Sequence, residues 1–434
     1  MKILFSFIIL IFFTACSSIQ TIEYARIQEL HTLPQKATPY VRNINKSVTL
    51  LPIQNAYNDF YFKPWDSSDI HASLHKIESP FRTYTIFNSY GPNLKPLKLN
   101  WFYHKYANAN YKDFATINKH AIILHYASLH NFTTSSPVFK NPTKAGEGFP
   151  FDYNQNSGVD GDKPIIVSHY SRDKAWVYVF TSFASGWVHA SDIAYVSNQD
   201  IKTFKTSKYI HLLQDSYPII DTDGQFICYS RIGMMLPLVK ETKNTYEVLI
   251  ATKGTNNQAV FKDVFIPKRI ATTKVLTFSK QNITKVADAI IHSKYGWGGI
   301  YGQRDCSAMI RDFFAPFGVW IPRNSVGQAK VGDIISLKNI SNQEKIRVIK
   351  KEGIPFQTLL DMKGHVLLYA GIYDNKVIVL QDIWGIRIKD GKKTGRIIIG
   401  HTAFTTLNIG NHQKYYNSRD GILNKITSMN IVTK

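Results

Sequence analysis

The spacing of hydrophobic and polar residues changes along this chain, and each change predicts a different kind of structure. Residues 46–112 mix helical spacing with loops, which predicts a small helical unit. Residues 113–200 and 201–275 carry short β-rich runs bounded by turn residues, which predict two units built from short strands. In residues 276–434 helical periodicity comes first and strands follow, which is typical of an α+β domain.

The C-terminal segment has the clearest local pattern. Asn282 can cap a helix that runs to about His292 with its apolar residues on one face. A second helix is predicted from Cys306 to Phe314. Three strands are predicted after these helices, over Asp333–Leu337, His365–Ile372 and Lys376–Ile383.

The N-terminal residues 1–15 have the pattern of an export signal, because Lys2 precedes an apolar run much shorter than the ~20 residues that span a membrane. The small residues before Cys16 predict lipoprotein processing, with the lipid on Cys16. Phe13 departs from the usual aliphatic residue at its position, so ordinary cleavage stays open. Residues 16–45 would then form a polar tether. We expect a monomer in the cell envelope that faces the periplasm and is held at the inner or the outer membrane.

Composition narrows the possible partners. The chain has 52 Lys and Arg against 31 Asp and Glu, a net charge of +21, but no basic block or nucleic-acid fold signature, which argues against a nucleic-acid partner. An anionic envelope would attract such a chain weakly, and a generally basic proteome explains the charge equally well. The sequence contains no CxxC, HExxH or glycine-rich phosphate loop, so neither a metal nor another cofactor is expected.

Cys306 and His365 are the candidate chemical groups. Cys306 starts a predicted helix, where the positive end of the helix dipole would lower the thiol pKa. His365 opens an apolar strand and could accept the thiol proton, which completes the minimum for nucleophilic cysteine catalysis. The alternatives are an inert cysteine with a structural histidine, or a disulfide between Cys306 and Cys228. Cys228 lies in an apolar run that predicts a core strand, which favours a free buried thiol.

Several short motifs resemble those of NlpC-type cell-wall peptidases, which are papain-like cysteine peptidases of bacteria. Asp305-Cys306-Ser307 before an apolar helix, and after Tyr295-Gly-Trp-Gly-Gly299, resembles their nucleophile region. Gly364-His365-Val366 resembles the start of their histidine strand, and the resemblance extends over about residues 280–400. It implies an α+β papain-like domain, preceded by two bacterial SH3-like barrels and a small N-terminal helical clip domain.

The resemblance also implies roles for individual residues. Gln381 would orient His365, provided that the intervening hairpin has an odd residue count; a two-residue turn would instead bring Asp382 to the histidine's face. Tyr295 would stand at the oxyanion, and Asp305 would read a free amine of the substrate, although it could equally cap the helix. The implied contacts to polar groups of the substrate are Ser307, Arg323 and Ser325.

The implied activity is a cysteine endopeptidase that cuts peptidoglycan stem peptides between γ-D-glutamate and a diamino acid. The first barrel would contribute the Ser171–Trp176 segment to the far end of the cleft, while Trp176 and Trp187 would lie in the barrel core. Two other classes stay open. A non-catalytic wall-binding lipoprotein would carry a dead site, and an amidase or acyltransferase on the same fold would keep the Cys/His pair.

Overall fold

The structure is a computed structural model, and it describes residues 27–44, 51–206, 208–391 and 393–433. The predicted signal peptide, Phe13 and the candidate lipid-bearing Cys16 lie outside the described residues. Within the described part, no helix combines the length and apolar character that a membrane span requires.

The N-terminal part is helical, as predicted, and packs on the first barrel. In the helix Leu51–Asp66, the Tyr61 hydroxyl donates to the Asp162 carbonyl (2.8 Å) and Trp65 Nε1 donates to the Ala121 carbonyl (2.8 Å). These two anchors bury the aromatic face of the helix against barrel strands. The helices of this part are α2 (Leu51–Asp66), α3 (Leu74–Ile77), α4 (Ser79–Thr83) and α5 (Leu99–Ala109), and α1 (Glu29–Thr32) lies before them.

Residues 27–44 are docked on the C-terminal domain, which differs from the polar tether predicted over residues 16–45. The Gln35 side chain donates to the Phe404 carbonyl (2.9 Å) and accepts from the Phe404 N–H (3.0 Å). The Tyr40 ring packs on the Phe404 ring with centroids 4.6 Å apart. Leu33 and Val41 join the same apolar cluster. Sequence reasoning missed this docking because the buried residues are scattered among polar ones with no helical or strand period.

The first barrel is one antiparallel sheet of seven strands, in the order β3-β2-β6-β5-β4-β1-β7. Trp187 and Trp176 are both buried in its aromatic cluster, as expected. The cis bond Phe149–Pro150 lies in the long insert between β2 and β3. The strands are β1 (Lys119–Ile123), β2 (Ala127–His130), β3 (Gln155–Val159), β4 (Pro164–Tyr170), β5 (Trp176–Phe180), β6 (Ser185–His189) and β7 (Ile193–Tyr195).

A short helix, α6 (Asn198–Phe204), leads to the second barrel. This barrel has a five-stranded sheet, β13-β12-β11-β8-β14, and a separate β9-β10 hairpin. Cys228 lies on β10, is buried in the barrel core and is a free thiol, as is Cys306, so the two form no disulfide. The strands are β8 (Tyr209–Leu212), β9 (Pro218–Ile220), β10 (Phe226–Tyr229), β11 (Met235–Glu241), β12 (Thr245–Lys253), β13 (Ala259–Pro267) and β14 (Ala271–Thr272).

The C-terminal domain packs helices against a six-stranded antiparallel sheet of order β15-β20-β16-β17-β18-β19, so the chain has the predicted α+β class. Ser279, rather than Asn282, caps the first helix of this domain, because the helix begins at Lys280. The elements are α7 (Lys280–Ile290), α8 (Cys306–Phe314), α9 (Ser325–Gln328), α10 (Asn342–Glu352), α11 (Ile422–Lys425), β15 (Asp333–Ser336), β16 (Thr358–Met362), β17 (His365–Tyr373), β18 (Lys376–Asp390), β19 (Lys393–Thr406) and β20 (Ser428–Ile431).

A buried charge network joins both barrels to the C-terminal domain. Arg304, with a side chain only 3% exposed, forms a two-pronged pair with Asp215 of the second barrel (2.5 and 2.9 Å) and bonds Asp312 on α8 (2.7 Å). Arg231 of the second barrel pairs with Asp160 of the first barrel (3.2 Å) and with Asp312 (3.1 Å). The loop that leads into α8 is therefore held from both sides.

Candidate active site

The loop before α8 is shaped by two glycines that contact the first barrel. Gly298 and Gly299 have φ angles of +61° and +86°, in the left-handed region that favours glycine. A Cβ on Gly298 would lie 2.6 Å from the Gln155 carbonyl oxygen, and one on Gly299 would lie 2.9 Å from the Gly158 nitrogen. Strand β3 of the first barrel therefore packs directly against this loop, and side chains at either glycine would separate them.

Cys306 is the first residue of α8, as predicted, and Asp305 caps the helix by accepting from the Ala308 N–H at 2.8 Å. The Cys306 side chain is buried, and it lies close to the backbone N–H of Val366, the residue after His365. Burial, followed by the Asp305 carboxylate, raises the thiol pKa to about 12. The helix dipole was expected to lower this pKa, and desolvation outweighs it.

His365 is held by an amide. Its Nε2 lies 2.7 Å from Gln381 Oε1, and Gln381 Nε2 donates to Thr405 Oγ1 at 2.6 Å. Because the amide oxygen accepts, Nε2 carries the proton and Nδ1 is the free base. Burial lowers the His365 pKa from its ordinary value, more strongly than the Gln381 hydrogen bond raises it. The imidazole is thus neutral and able to accept a proton at neutral pH.

A β-bulge brings Gln381 to the face of His365. The turn between β17 and β18 has two residues, Asp374 and Asn375, both with positive φ. That turn alone would place Asp382 on the histidine's face. The register shifts by one residue at Ala370, however, and the shift exchanges the two faces. The one additional residue that brings Gln381 to this face is therefore inside strand β17, and not in the loop as predicted.

Asp382 lies on the opposite face of β18 from Gln381, because neighbouring strand residues alternate. Its carboxyl is fully buried, and burial followed by the Asp305 charge raises its pKa well above the usual range. A buried carboxyl on that face does not orient the imidazole. The alternative that assigned this role to Asp382 does not fit the structure.

Asp305 is the most densely bonded group at the site. Its two oxygens accept from Arg323 Nη1 (3.0 Å) and Nη2 (2.8 Å), from Ser307 Oγ (3.1 Å), from the Ala308 N–H (2.8 Å) and from the Gly298 N–H (3.0 Å). Five donors exceed the roughly four lone-pair sites of a carboxylate. The expectation that Asp305 reads a substrate amine conflicts with this geometry, because the Arg323 guanidinium occupies that position.

Arg323 and Ser307 are thus bonded to protein groups. Arg323 Nη1 also donates to Ser307 Oγ (2.9 Å), and its Nε donates to Ser157 Oγ on β3 of the first barrel (2.8 Å). Arg323 keeps the pKa of Asp305 below its ordinary value despite burial. Gln328 donates to the Ser307 and Pro322 carbonyls (2.9 and 2.8 Å) and ties this segment to α8.

Tyr295 stands beside the nucleophile. Burial, followed by the nearby Cys306 and Asp305, raises its phenol pKa well above the usual range, so the group stays protonated and can donate. Its ring lies 5.9 Å from Trp384 and 6.4 Å from Phe151, centroid to centroid.

The Cys306 cleft is a cavity of about 620 Å³ bordered by three parts of the chain. The clip contributes Lys76 and Tyr84, the first barrel contributes the β5–β6 turn, Phe180–Ser185, and the C-terminal domain contributes Ser325. Phe183 of that turn lies against the Arg311 guanidinium of α8, 3.8 Å from ring centroid to Cζ.

The first barrel therefore lines the cleft, but with the Phe180–Ser185 turn instead of Ser171–Trp176. Ser171 and Asp173 bond each other, and Asp173 and Arg172 bond Asn108 of the clip. That segment is used to attach the clip to the barrel.

A second cavity of about 970 Å³ opens on the His365 side and shares Tyr153, Tyr295, Trp297 and Gly364 with the cleft. Basic residues dominate its charged lining. Among the described residues, no group of three or more His, Cys, Asp or Glu side chains is arranged to hold a metal ion.

Comparison with family models matches four consecutive parts of the chain. The models are the NLPC_P60 stabilising domain, N-terminal (residues 3–114), an SH3 domain of the SH3b1 type (137–189), an SH3 domain of the SH3b2 type (199–243) and the NlpC/P60 family (292–393). No curated protein matches the chain.

Two solved structures extend this likeness. An NlpC/P60 endopeptidase from Photobacterium damselae subsp. piscicida is 26% identical with a TM-score of 0.82, covering 93% of this chain and 98% of its own. An NlpC/P60 family protein from Bacillus cereus ATCC 10987 has a similar fold at 15% identity and a TM-score of 0.51, covering 73% of this chain and 100% of its own. The chain contains an NlpC/P60 domain, preceded by an NLPC_P60 stabilising domain and two SH3 domains, and these likenesses support a peptidase.

Proposed function

We propose that this protein is a cysteine endopeptidase that cuts the bond between γ-D-glutamate and a diamino acid in the stem peptides of peptidoglycan. One observation carries the proposal. A buried thiol at the start of α8 lies beside the backbone that follows His365, and the imidazole is held in one tautomer by Gln381. The likeness to an NlpC/P60 endopeptidase supports this choice of reaction.

The first step is attack by a neutral thiol. Because the Cys306 pKa is raised to about 12, the resting group is S–H, and the proton must leave as the sulfur attacks. Nδ1 of His365 takes that proton while sulfur bonds to the γ-carbonyl carbon. The carbonyl oxygen becomes an oxyanion, which the Cys306 N–H and the Tyr295 hydroxyl stabilise.

The second step releases the diamino acid side. The imidazolium gives its proton to the leaving nitrogen, the C–N bond breaks, and a γ-glutamyl thioester stays on Cys306. Water then loses a proton to His365 and attacks the thioester. The products are a free γ-carboxylate and the restored thiol, and no cofactor takes part.

The expected setting is the cell envelope. In this proposal a lipid on Cys16 holds a monomeric protein at a membrane and facing the periplasm. The closed cleft, bordered by the clip and by the β5–β6 turn, favours short stem peptides over intact crosslinked wall. These statements rest on the N-terminal sequence pattern and on the cleft shape.

Digestion of purified muropeptides, followed by mass analysis, tests the proposal. We expect wild type to release fragments that end in γ-D-glutamate, and Cys306→Ala to release none. Cys228→Ala is the matched control, since it removes the other described free thiol, in the second barrel, and should keep full activity.

Two results would contradict the endopeptidase. Release of the whole stem peptide from the glycan would identify the amidase alternative. No cleavage together with an ordinary Cys306 reactivity toward a thiol reagent would identify the wall-binding alternative.

A further inference from the structure

The second cavity has a marked excess of positive charge. We call it the basic cavity, and its basic lining residues are Lys144, Lys363, Arg387, Arg396 and Lys425. Only Glu147 and Asp420 among its lining residues are acidic. Asp420 already pairs with Lys425 (3.3 Å) and Arg387 (3.6 Å), and Glu147 accepts from the Tyr153 hydroxyl (2.8 Å).

Among these cations, Arg396 is the one with a buried nitrogen that lacks a partner within the described residues. Its Nε is buried with no hydrogen-bond partner in the described part of the chain, and its Nη1 makes one long bond to the Gly385 carbonyl (3.4 Å). It stands directly across the β18–β19 ladder from Arg387, so two like charges face each other. Burial lowers the Arg396 pKa, and Arg387 lowers it further. An unpaired, partly buried guanidinium costs folding free energy that a bound anion would recover.

The surroundings hold this guanidinium in place. The Phe151 ring lies under it, 5.7 Å from ring centroid to Cζ. Gly146 has a φ of +87°, and a Cβ there would lie 2.3 Å from Arg396 Nη2. A glycine at that position lets the barrel insert approach the guanidinium closely. The group is therefore part of the cavity wall, and its planar fork suits a carboxylate.

The position of His365 identifies the fragment that enters this cavity. His365 lines the basic cavity, and in the proposed reaction it gives its proton to the leaving nitrogen. The leaving fragment must then extend past His365 to the side where Arg396 lies. The diamino acid on that side carries carboxylates. We propose that Arg396 determines specificity by binding a carboxylate of the leaving diamino acid fragment, an inference that rests on the proposed function.

Paired substrates test this inference. The probes are L-Ala-γ-D-Glu-diaminopimelate and the same tripeptide with both diaminopimelate carboxylates converted to carboxamides. We expect wild type to favour the carboxylate form in kcat/KM by about 10- to 100-fold, the usual range for one charge-assisted hydrogen-bonded pair.

Substitutions at Arg396 test whether this residue causes the preference for the carboxylate form. Arg396→Gln should lose this preference by slowing only the carboxylate form, and Arg396→Lys should recover part of it. Arg347→Gln, at an exposed arginine on α10, makes the same change of charge and should behave like wild type. Equal cleavage of both forms by wild type, or equal slowing of both by Arg396→Gln, would overturn the inference.

A binding measurement separates this inference from the reaction itself. Diaminopimelyl-D-alanine is titrated into Cys306→Ala and into the Cys306→Ala/Arg396→Gln double variant by calorimetry, with melting temperatures to show that both are folded. Weaker binding by the double variant, about 10-fold or more, supports the carboxylate site even if wild type cuts neither tripeptide. Equal binding, or no binding to either, refutes it. Failure of wild type to cut either tripeptide refutes the proposed function alone.

Discussion

At Cys306 the local sequence and the tertiary surroundings have opposite effects on the thiol pKa. The helix start favours a thiolate, whereas burial and the Asp305 charge favour the neutral thiol and prevail. His365 is shifted in the direction that suits a base, because burial lowers its pKa. In the resting enzyme the proton is therefore on the Cys306 sulfur, and it moves to His365 as the sulfur attacks.

The pH dependence of kcat/KM follows from these two shifts. His365 must be neutral to act as the base, so activity is lost as pH falls through its pKa. We expect one acidic midpoint below the ordinary histidine value of about 6.5, and a plateau that continues to about pH 9. A stopped-assay pH series on a stem tripeptide measures this. A decline of activity between about pH 7 and pH 9 would instead indicate a reactive thiolate–imidazolium pair.

Asp305 and Arg323 give a second prediction at this scale. Because Arg323 already neutralises Asp305, acetylating the amino terminus of a stem tripeptide should change kcat/KM by less than about 10-fold, the smallest loss expected from one missing charge-assisted bond. Strong depression of cleavage by acetylation would show that a substrate amine displaces Arg323.

Arg323→Met tests the Asp305–Arg323 ion pair through the free energy of unfolding. It leaves a buried carboxylate without its cation, so the free energy of unfolding should fall by about 3–5 kcal/mol in urea denaturation. The Asp305→Asn/Arg323→Met double variant should recover a large part of that loss. A double variant no more stable than Arg323→Met would argue against the pairing.

At the scale of secondary-structure elements, one irregularity in a strand can determine which side chains face the site. The bulge at Ala370 exchanges the faces of β17 relative to β18 and so selects Gln381 over Asp382. Residues 27–44 are a second example. This segment has only one short helix, yet Glu29, Gln35 and Tyr40 attach it to β19.

Tyr40→Ala should lower the free energy of unfolding by about 3 kcal/mol, because it removes a buried ring that packs on Phe404 and Tyr373. Lys36→Ala, at an exposed position in the same segment, should change it by less than about 0.5 kcal/mol. Thermal and urea unfolding measure both. Equal stability of the two variants would mean that the segment is not docked in solution.

At the scale of the molecule, the first barrel lines the active-site cleft, and both barrels hold the loop before α8 in position. Strand β3 holds the Gly298–Gly299 loop, and the β5–β6 turn closes the cleft. Arg304 and Arg231 connect both barrels to α8 through Asp312. A change in this network should therefore affect stability and catalysis together.

Arg304→Leu tests that connection. Removing the guanidinium leaves Asp215 and Asp312 without their partner, so we expect a loss of about 3–5 kcal/mol in the free energy of unfolding. Activity on stem tripeptide should fall as well, although Arg304 does not touch the substrate. Arg347→Leu on the exposed face of α10 is the control and should retain both properties.

The sequence by itself determined the features that depend on neighbours along the chain. The start of α8 at Cys306, the strand at His365, the barrel strands and the α+β order all follow from local periodicity, turn residues and short motifs. These signals act over a few residues, so they are legible without the fold. The motifs that resemble the NlpC type also identified the family.

Only the tertiary structure decided which distant groups meet. Arg323 reaches Asp305 from 18 positions away, and the partners of Gln35 lie 369 positions along the chain. The burial that reverses the Cys306 pKa comes from the packing of α8 in the apolar core of the C-terminal domain. One extra residue in β17 decided which side chain faces His365, since strand faces alternate with a period of two. Such contacts depend on chain closure and packing, which no local pattern encodes.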